Sequence, residues 1–377
     1  MKRSRLYEIH AKLGAVFVEQ AGWEVPVHYG DPVAEHLAVR RGVGMMDLSQ
    51  RGKIRVIGED REKWLQSVIS NDILKLTSGQ GAYSCLLTHK GKILSYFRVY
   101  QVGTGGASAG PPPAGLGEAL ILEDVGEIGE ATFSALRKFL LYGTKAKMEN
   151  CAETWGLLVV SGPNAFDLIK AALGADLSSL KPLTFVTCDI GGHPALLIRT
   201  EETGEADIEI LMPAEGLAEA WDRLWSAGQS MGLKPFGTAA LESLRIEAGL
   251  PKAGPDLNED VVPPEANLEG KAFSLTKGCY PGQEVVARMD TYGSVRRRLV
   301  GLVLAEPVVP PHGATLFSGE REVGWVSSAV QSPSLGKTIA LGFPLRDFAQ
   351  PSTALTVEIA GEREAATVHA LPFVKGS

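Results

Sequence analysis

The chain has only four cysteines in 377 residues, Cys85, Cys151, Cys188 and Cys279, and no two of them form a CxxC pair. That count and scatter argue against a disulfide framework and against a four-thiolate metal or cluster site. Positive charge is also short. Lys and Arg number 37 against 44 Asp and Glu, a net charge of −7, the wrong balance for general nucleic-acid binding through phosphates. The one basic cluster, Arg296-Arg297-Arg298, reads as a solvated strand edge. No apolar run approaches the ~20 residues of a membrane span. The opening MKRSRLYEIHAKLG lacks the apolar core of a secretory signal. No GxGxxG opens a helix after a strand, and no P-loop is present. A reducing, cytoplasmic setting is the expectation.

The apolar fraction, 45%, is ordinary for a globular chain, and the length suits two or three domains. Residues 6–40 read as two helices flanking an irregular AGWEVPVHYGDP. Lys53–Ile57 alternates as a strand, and Asp60 stands where it would cap a helix REKWLQSVIS. Ala82–Thr88 and Lys92–Val102 read as a hairpin joined at THKG. The run Gly103–Gly117 is a low-complexity loop, and Glu127–Leu141 has helical periodicity. Ala152–Glu247 mixes strands and helices without βαβ regularity, which predicts an α+β fold with mixed sheets. From Arg296 onward six short strands, broken by Gly and Pro about every ten residues, predict a small separate β-barrel. The expected division is 1–295 (two subdomains, about 1–150 and 151–295) and 296–377.

Two stretches, GWEVPVHYGDPVAEHLAVRRGVGMMDLSQRGKIRV (22–56) and SLRIEAGLPKAGPDL (243–257), resemble the glycine-cleavage T-protein (aminomethyltransferase) superfamily. So does the terminal VGWVSSAVQSPSLGKTIALGF. The resemblance covers nearly the whole chain and implies a three-lobed α+β body with a central tetrahydrofolate site. A further run, KGCYPGQE at 277–284 behind VVPPEANLEGKAFSLT, resembles the YgfZ branch of that superfamily. That branch implies a folate-binding accessory protein serving iron–sulfur proteins or their assembly factors, with tRNA modification affected downstream.

A pterin presents a ring N–H beside an amino group, and a carboxylate accepts both at once. In TGEADIEILMP the resemblance puts Glu209 at that position. Strand alternation places Asp207 on the same face. Arg245 matches a cavity arginine suited to the carboxylates of a folate tail, and Tyr83 matches an aromatic near the ring. The transferases carry an Asp-Asp pair where GKILSYFRVY has Ser95 and Tyr96, and the methionine of their H-M-G-K is Arg51. Neither Ser95 nor Tyr96 can act as a carboxylate base near neutral pH. The expectation is therefore a folate binder without transferase activity, the alternative being a folate-dependent aminomethyltransferase or demethylase. Cys279 precedes a predicted helix from Gln283, with Lys277 and Arg288 close in sequence. Cations and a helix start favour thiolate, so Cys279 and Lys277 are the candidate reactive pair. Cys85, Cys151 and Cys188 read as ordinary apolar fillers.

Overall fold

The computed structural model describes residues 1–103, 117–126, 129–291 and 295–376. The chain opens with helix α1 (Tyr7–Lys12), the hairpin β1 (Val16–Gln20) and β2 (Trp23–His28), and helix α2 (Pro32–Arg41). The stretch expected to be irregular is thus largely the second strand of a hairpin. Gly22 sits in its turn at φ +83°, a backbone angle that glycine reaches without strain. Asp31 caps α2 through its side chain, 2.9 Å from Val33 N, with Pro32 suited to a first helical turn.

Strand β3 (Gly44–Asp47) is followed by β4 (Lys53–Ile57), α3 (Arg61–Val68), β5 (Gly81–Leu87), β6 (Ile93–Val102), β7 (Ala119–Asp124), α4 (Gly129–Arg137) and β8 (Lys147–Asn150). Five of these strands form a sheet in the order β5-β6-β7-β4-β8. Asp60 does not cap α3; its Oδ2 accepts from Lys145 N at 2.9 Å and ties that helix start to the strand leading into β8. The low-complexity loop lies outside the described residues from 104 to 116, as do 127 and 128 of the expected helix.

Next come β9 (Trp155–Ser161), α5 (Ala165–Leu173), β10 (Phe185–Ile190), β11 (His193–Thr200), β12 (Asp207–Pro213), α6 (Leu217–Gly228), β13 (Lys234–Pro235) and α7 (Thr238–Glu247). A six-stranded mixed sheet runs β10-β11-β12-β9-β3-β13. Because β3 pairs with β9, a segment from the first 50 residues completes the second sheet, so a cut at about residue 150 separates paired strands. Helix α8 (Gln283–Thr291) precedes β14 (Val300–Leu304), β15 (Thr315–Ser318), β16 (Arg321–Ser332), β17 (Lys337–Gly342), β18 (Ala354–Ile359) and β19 (Glu362–His369). These six strands close into a barrel, β14-β17-β16-β15-β18-β19.

The alternation of β12 positions the site. Ile208, Ile210 and Met212 pack under α5 and α6 with Leu168 and Trp221. Leu211 faces the other way, into a layer with Tyr100 and Ile121 of the five-stranded sheet. Asp207 and Glu209 have the parity of Leu211. On β6, Phe97 and Val99 pack with Trp64 and Leu136 of the outer helices. Tyr96, Arg98 and Tyr100 therefore point inward, and the two sheets meet through polar side chains at this level.

Candidate functional site at the meeting of the sheets and the barrel

Two adjoining cavities share Tyr83, Tyr96, Leu250 and Pro251 as walls. The wider, about 640 Å³, is lined by Asn71, Thr200, Asn267 and Lys271 and reaches Leu371 in the tail that follows the barrel. The smaller, about 60 Å³, is lined by Arg51, Glu202, Glu242, Arg245 and Lys252. Tyr83 and Tyr96 are cross-strand neighbours on the hairpin, with ring centres 5.2 Å apart and planes 2° from parallel. Burial pushes the Tyr83 hydroxyl up to about 12 and that of Tyr96 well above its ordinary value. Both stay neutral near pH 7, and the stacked pair forms part of the wall of each cavity.

Behind that wall lies a buried charge cluster. Arg98 Nη2 is 2.8 Å from Glu123 Oε1 and 2.8 Å from Glu209 Oε1. Arg51 grips Glu202 with both terminal nitrogens, one at 2.7 Å, and stands 3.5 Å from Glu123. Two guanidinium groups thus face three carboxylates. Burial works to raise the Glu202 carboxyl, but Arg51 outweighs it and holds the group down at about 2. At Glu209 the same two effects oppose each other, burial working to raise the carboxyl and the adjacent Arg98 guanidinium to lower it. Thr200 Oγ1 donates to Glu209 Oε1 at 3.3 Å, while Oε2 has no hydrogen-bond partner. Asp207 sits one β-repeat away and is used locally, accepting from Thr203 N at 2.9 Å and from Thr203 Oγ1 at 2.5 Å. Neither residue is a solvated strand carboxylate.

Arg245 lines the smaller cavity, but its terminal nitrogens are engaged. They donate to Asp256 Oδ2 at 2.6 Å, Ser328 Oγ at 2.7 Å, Leu250 O at 3.2 Å and Glu242. Asp256 also accepts from Ser327 and Ser328 of β16. The arginine thereby links α7, the 250–256 turn and the barrel, with its Nε left unpartnered.

Of the two residues at the aspartate positions, only Tyr96 faces the cavities. Ser95 points to the opposite side of β6, where it accepts from Thr132 of α4 at 3.0 Å. Arg51 borders the smaller cavity, fixed on Glu202.

The 277–284 run lies apart from these walls; none of its residues lines either cavity. Lys277 is turned into the body and donates to the carbonyls of Gln66 at 2.5 Å, Asn71 at 3.1 Å and Ile69. It satisfies the C-terminal end of α3, and burial lowers its ammonium to about 8. Gly282, at φ +79°, backs onto the hairpin turn; an added Cβ would stand 2.5 Å from Thr88 O and 2.8 Å from Gly91 Cα. Tyr280 is buried, its hydroxyl donating to Ser274 O at 3.2 Å. Cys279 alone among the four cysteines is exposed. Burial raises the other three thiols, Cys85 to about 12 and Cys188 to about 11. Residues 271–276, which lead into the run, are turns and bends with one isolated bridge, Phe273 to Glu269.

The buried charges beside Glu209 were not foreseen. Arg98 and Glu123 are cross-strand partners, and each interrupts an apolar strand at an inward position. A charge there needs a buried partner, and that is the signal in the sequence that marks them. Among the described residues there is no grouping of three His, Cys, Asp or Glu suited to a metal ion and no helix long and apolar enough to cross a membrane.

Comparison with known proteins gives matches from end to end. Residues 6–106 and 126–275 match the GCVT N-terminal domain, and 297–375 match the glycine cleavage T-protein C-terminal barrel domain. The aminomethyltransferase of Chlorobium luteolum is 31% identical over 379 residues, covering all of both chains. That of Bacillus subtilis is 31% identical, covering 100% of this chain and 99% of its own. The glycine cleavage system aminomethyltransferase T of Bartonella henselae superposes with a TM-score of 0.87 at 27% identity, covering 100% of this chain and 98% of that one. These likenesses overturn the expectation of an iron–sulfur accessory protein of the YgfZ type with effects on tRNA modification. The match runs the length of both chains and is to proteins named for aminomethyl transfer, whereas the YgfZ likeness rested on one loop of mainly structural residues.

Proposed function

From its membership of the glycine-cleavage T-protein family, we propose that this chain is a tetrahydrofolate-dependent one-carbon transferase of the aminomethyl type, binding folate where the two sheets and the barrel meet. The observation that carries this is the pair of cavities walled by Tyr83 and Tyr96, with Glu209 one side chain behind them. The residues suit a folate. The wider cavity, about 640 Å³, lies in the range of small-molecule sites. Tyr83 offers a flat aromatic face, and Glu209 Oε2 is a buried acceptor without a donor. Such an atom costs stability unless something pairs with it.

Tetrahydrofolate, when bound, supplies the nitrogen that accepts the one-carbon unit. Glu209 would hold the ring edge, Tyr83 its face, and Arg245, whose Nε is unpartnered, would meet the acidic tail beside Lys252. Tyr96 and Tyr83 exclude water from the ring seat. The chain brings no carboxylate to the cavity at position 96, so general base help is weak and turnover is expected to be slow, by up to ~10²–10⁴-fold. The 277–284 loop belongs to the support of this body: Lys277 and Gly282 fix α3 and the hairpin that carries Tyr96.

The test supplies tetrahydrofolate and an aminomethylated carrier protein and measures methylenetetrahydrofolate and ammonia. Slow, folate-dependent multiple turnovers are expected. Folate binding with no product above the uncatalysed rate would reduce the protein to a binder.

A further inference from the structure

Arg98 is fully buried at an inward position of β6, and its Nη2 bridges Glu123 and Glu209 at 2.8 Å each, with Glu202 Oε2 at 3.5 Å. A guanidinium is a planar array of N–H donors. It offers Glu209 the kind of donors that a pterin edge would offer. One carboxylate oxygen is therefore already served from within the chain.

The remaining atoms of the cluster are not settled. Arg98 Nε and Nη1, Glu123 Oε2 and Glu209 Oε2 are all buried, and none has a hydrogen-bond partner. A buried ion pair contributes to stability only when its other lone pairs and protons are satisfied. Neither Arg98 nor Glu209 lines either of the two cavities, but their neighbours do. Thr200, bonded to Glu209, lines the wider cavity, and Tyr83, 6.0 Å from the Arg98 guanidinium, lines both. The pair thus lies one layer beneath the cavity wall.

We propose that Arg98 is a specificity-determining residue that occupies the ring seat from inside, competing with a ligand's paired N–H donors for Glu209. This rests on the folate reading above. When a ring edge takes Glu209, the guanidinium keeps Glu123 and Glu202 as partners, so its charge is not stranded. The price is affinity: if the seat is open in only a fraction of molecules, apparent binding weakens by that fraction. The residue thereby favours ligands with a full donor pair, which can displace it, over flat rings that lack one.

Calorimetry of the full-length protein with tetrahydrofolate tests this in four forms: wild type, Arg98→Met, Arg98→Lys, and Arg98→Met combined with Glu209→Gln. Methionine keeps the length without the donors. It is expected to bind about tenfold tighter or better. Lysine, with a charge but no fork, falls between, and the double variant drops below wild type. Thermal unfolding is followed in parallel, and if the Met form does not fold, the Lys form carries the comparison. Equal or weaker binding by the folded Arg98 variants would overturn the proposal, and wild-type binding would leave the folate reading intact. Binding by the Met form with none by wild type would support it. No binding by any form would overturn both.

Discussion

The 277–284 loop and the inner faces of the two sheets use their polar residues in opposite ways. The loop is the densest motif in the sequence, yet Lys277 is spent on three carbonyls of the α3 end and Gly282 on contact with the hairpin turn. Its one thiol, Cys279, is exposed. The sheets contribute scattered single residues, Tyr83, Tyr96, Arg98, Glu123 and Glu209, which no local motif joins. Packing brings them into one buried cluster beside a cavity. The most prominent run in the sequence therefore lies off the walls of both cavities, while the buried charge cluster is assembled from distant strands.

That contrast can be broken or sharpened by substitution. The largest effect is expected at Tyr96→Asp, which puts a carboxylate on the wall shared by both cavities. Aminomethyl transfer to tetrahydrofolate should rise, by as much as ~10²–10⁴-fold if the carboxylate meets the reacting nitrogen. Ser95→Asp, facing Thr132 under α4, should give no such gain. Equal gains in the two would contradict the inward and outward assignment.

Next in size is Arg245→Leu. It strands Asp256, a carboxylate with no exposed surface, and breaking a buried pair costs about 3–5 kcal/mol. Denaturant unfolding should show that loss together with weakened folate binding. Lys277→Met is expected to cost less, roughly 1–3 kcal/mol, by leaving carbonyls near the α3 end without a donor. The smallest effect is expected for Cys279→Ser. Stability should change within about 0.5 kcal/mol, as for surface positions in general, and folate turnover should be unchanged. A marked loss of turnover in the serine variant would bring the loop back into the site.

Much of the architecture is legible in the sequence because it follows from alternation and turn residues. The six barrel strands stand out for that reason, and so does the shared face of Asp207 and Glu209. Other elements carry no such mark. Strand β3, GMMD, is buried on both faces and shows no alternation, so its place in the second sheet depends on pairing with β9. Strand β2 contains Trp23 and Pro26, which read as irregular until β1 is seen to pair with it. Within the site, the residue types at 83, 209 and 245 pointed to a ligand through likeness alone. What the sequence could not convey is that Glu209 and Arg245 already hold partners inside the chain. Those contacts join β6 to β12 and α7 to β16, across 111 and 83 positions.

The central claim, that folate is held at Glu209 where the sheets and barrel meet, is tested most directly by titrating tetrahydrofolate into the wild type and Glu209→Gln in one calorimetric series. Glutamine replaces one acceptor with a misplaced donor, so affinity should fall by ~1–3 kcal/mol with the fold unchanged. Equal affinity in the two proteins would place the ring elsewhere and contradict the account.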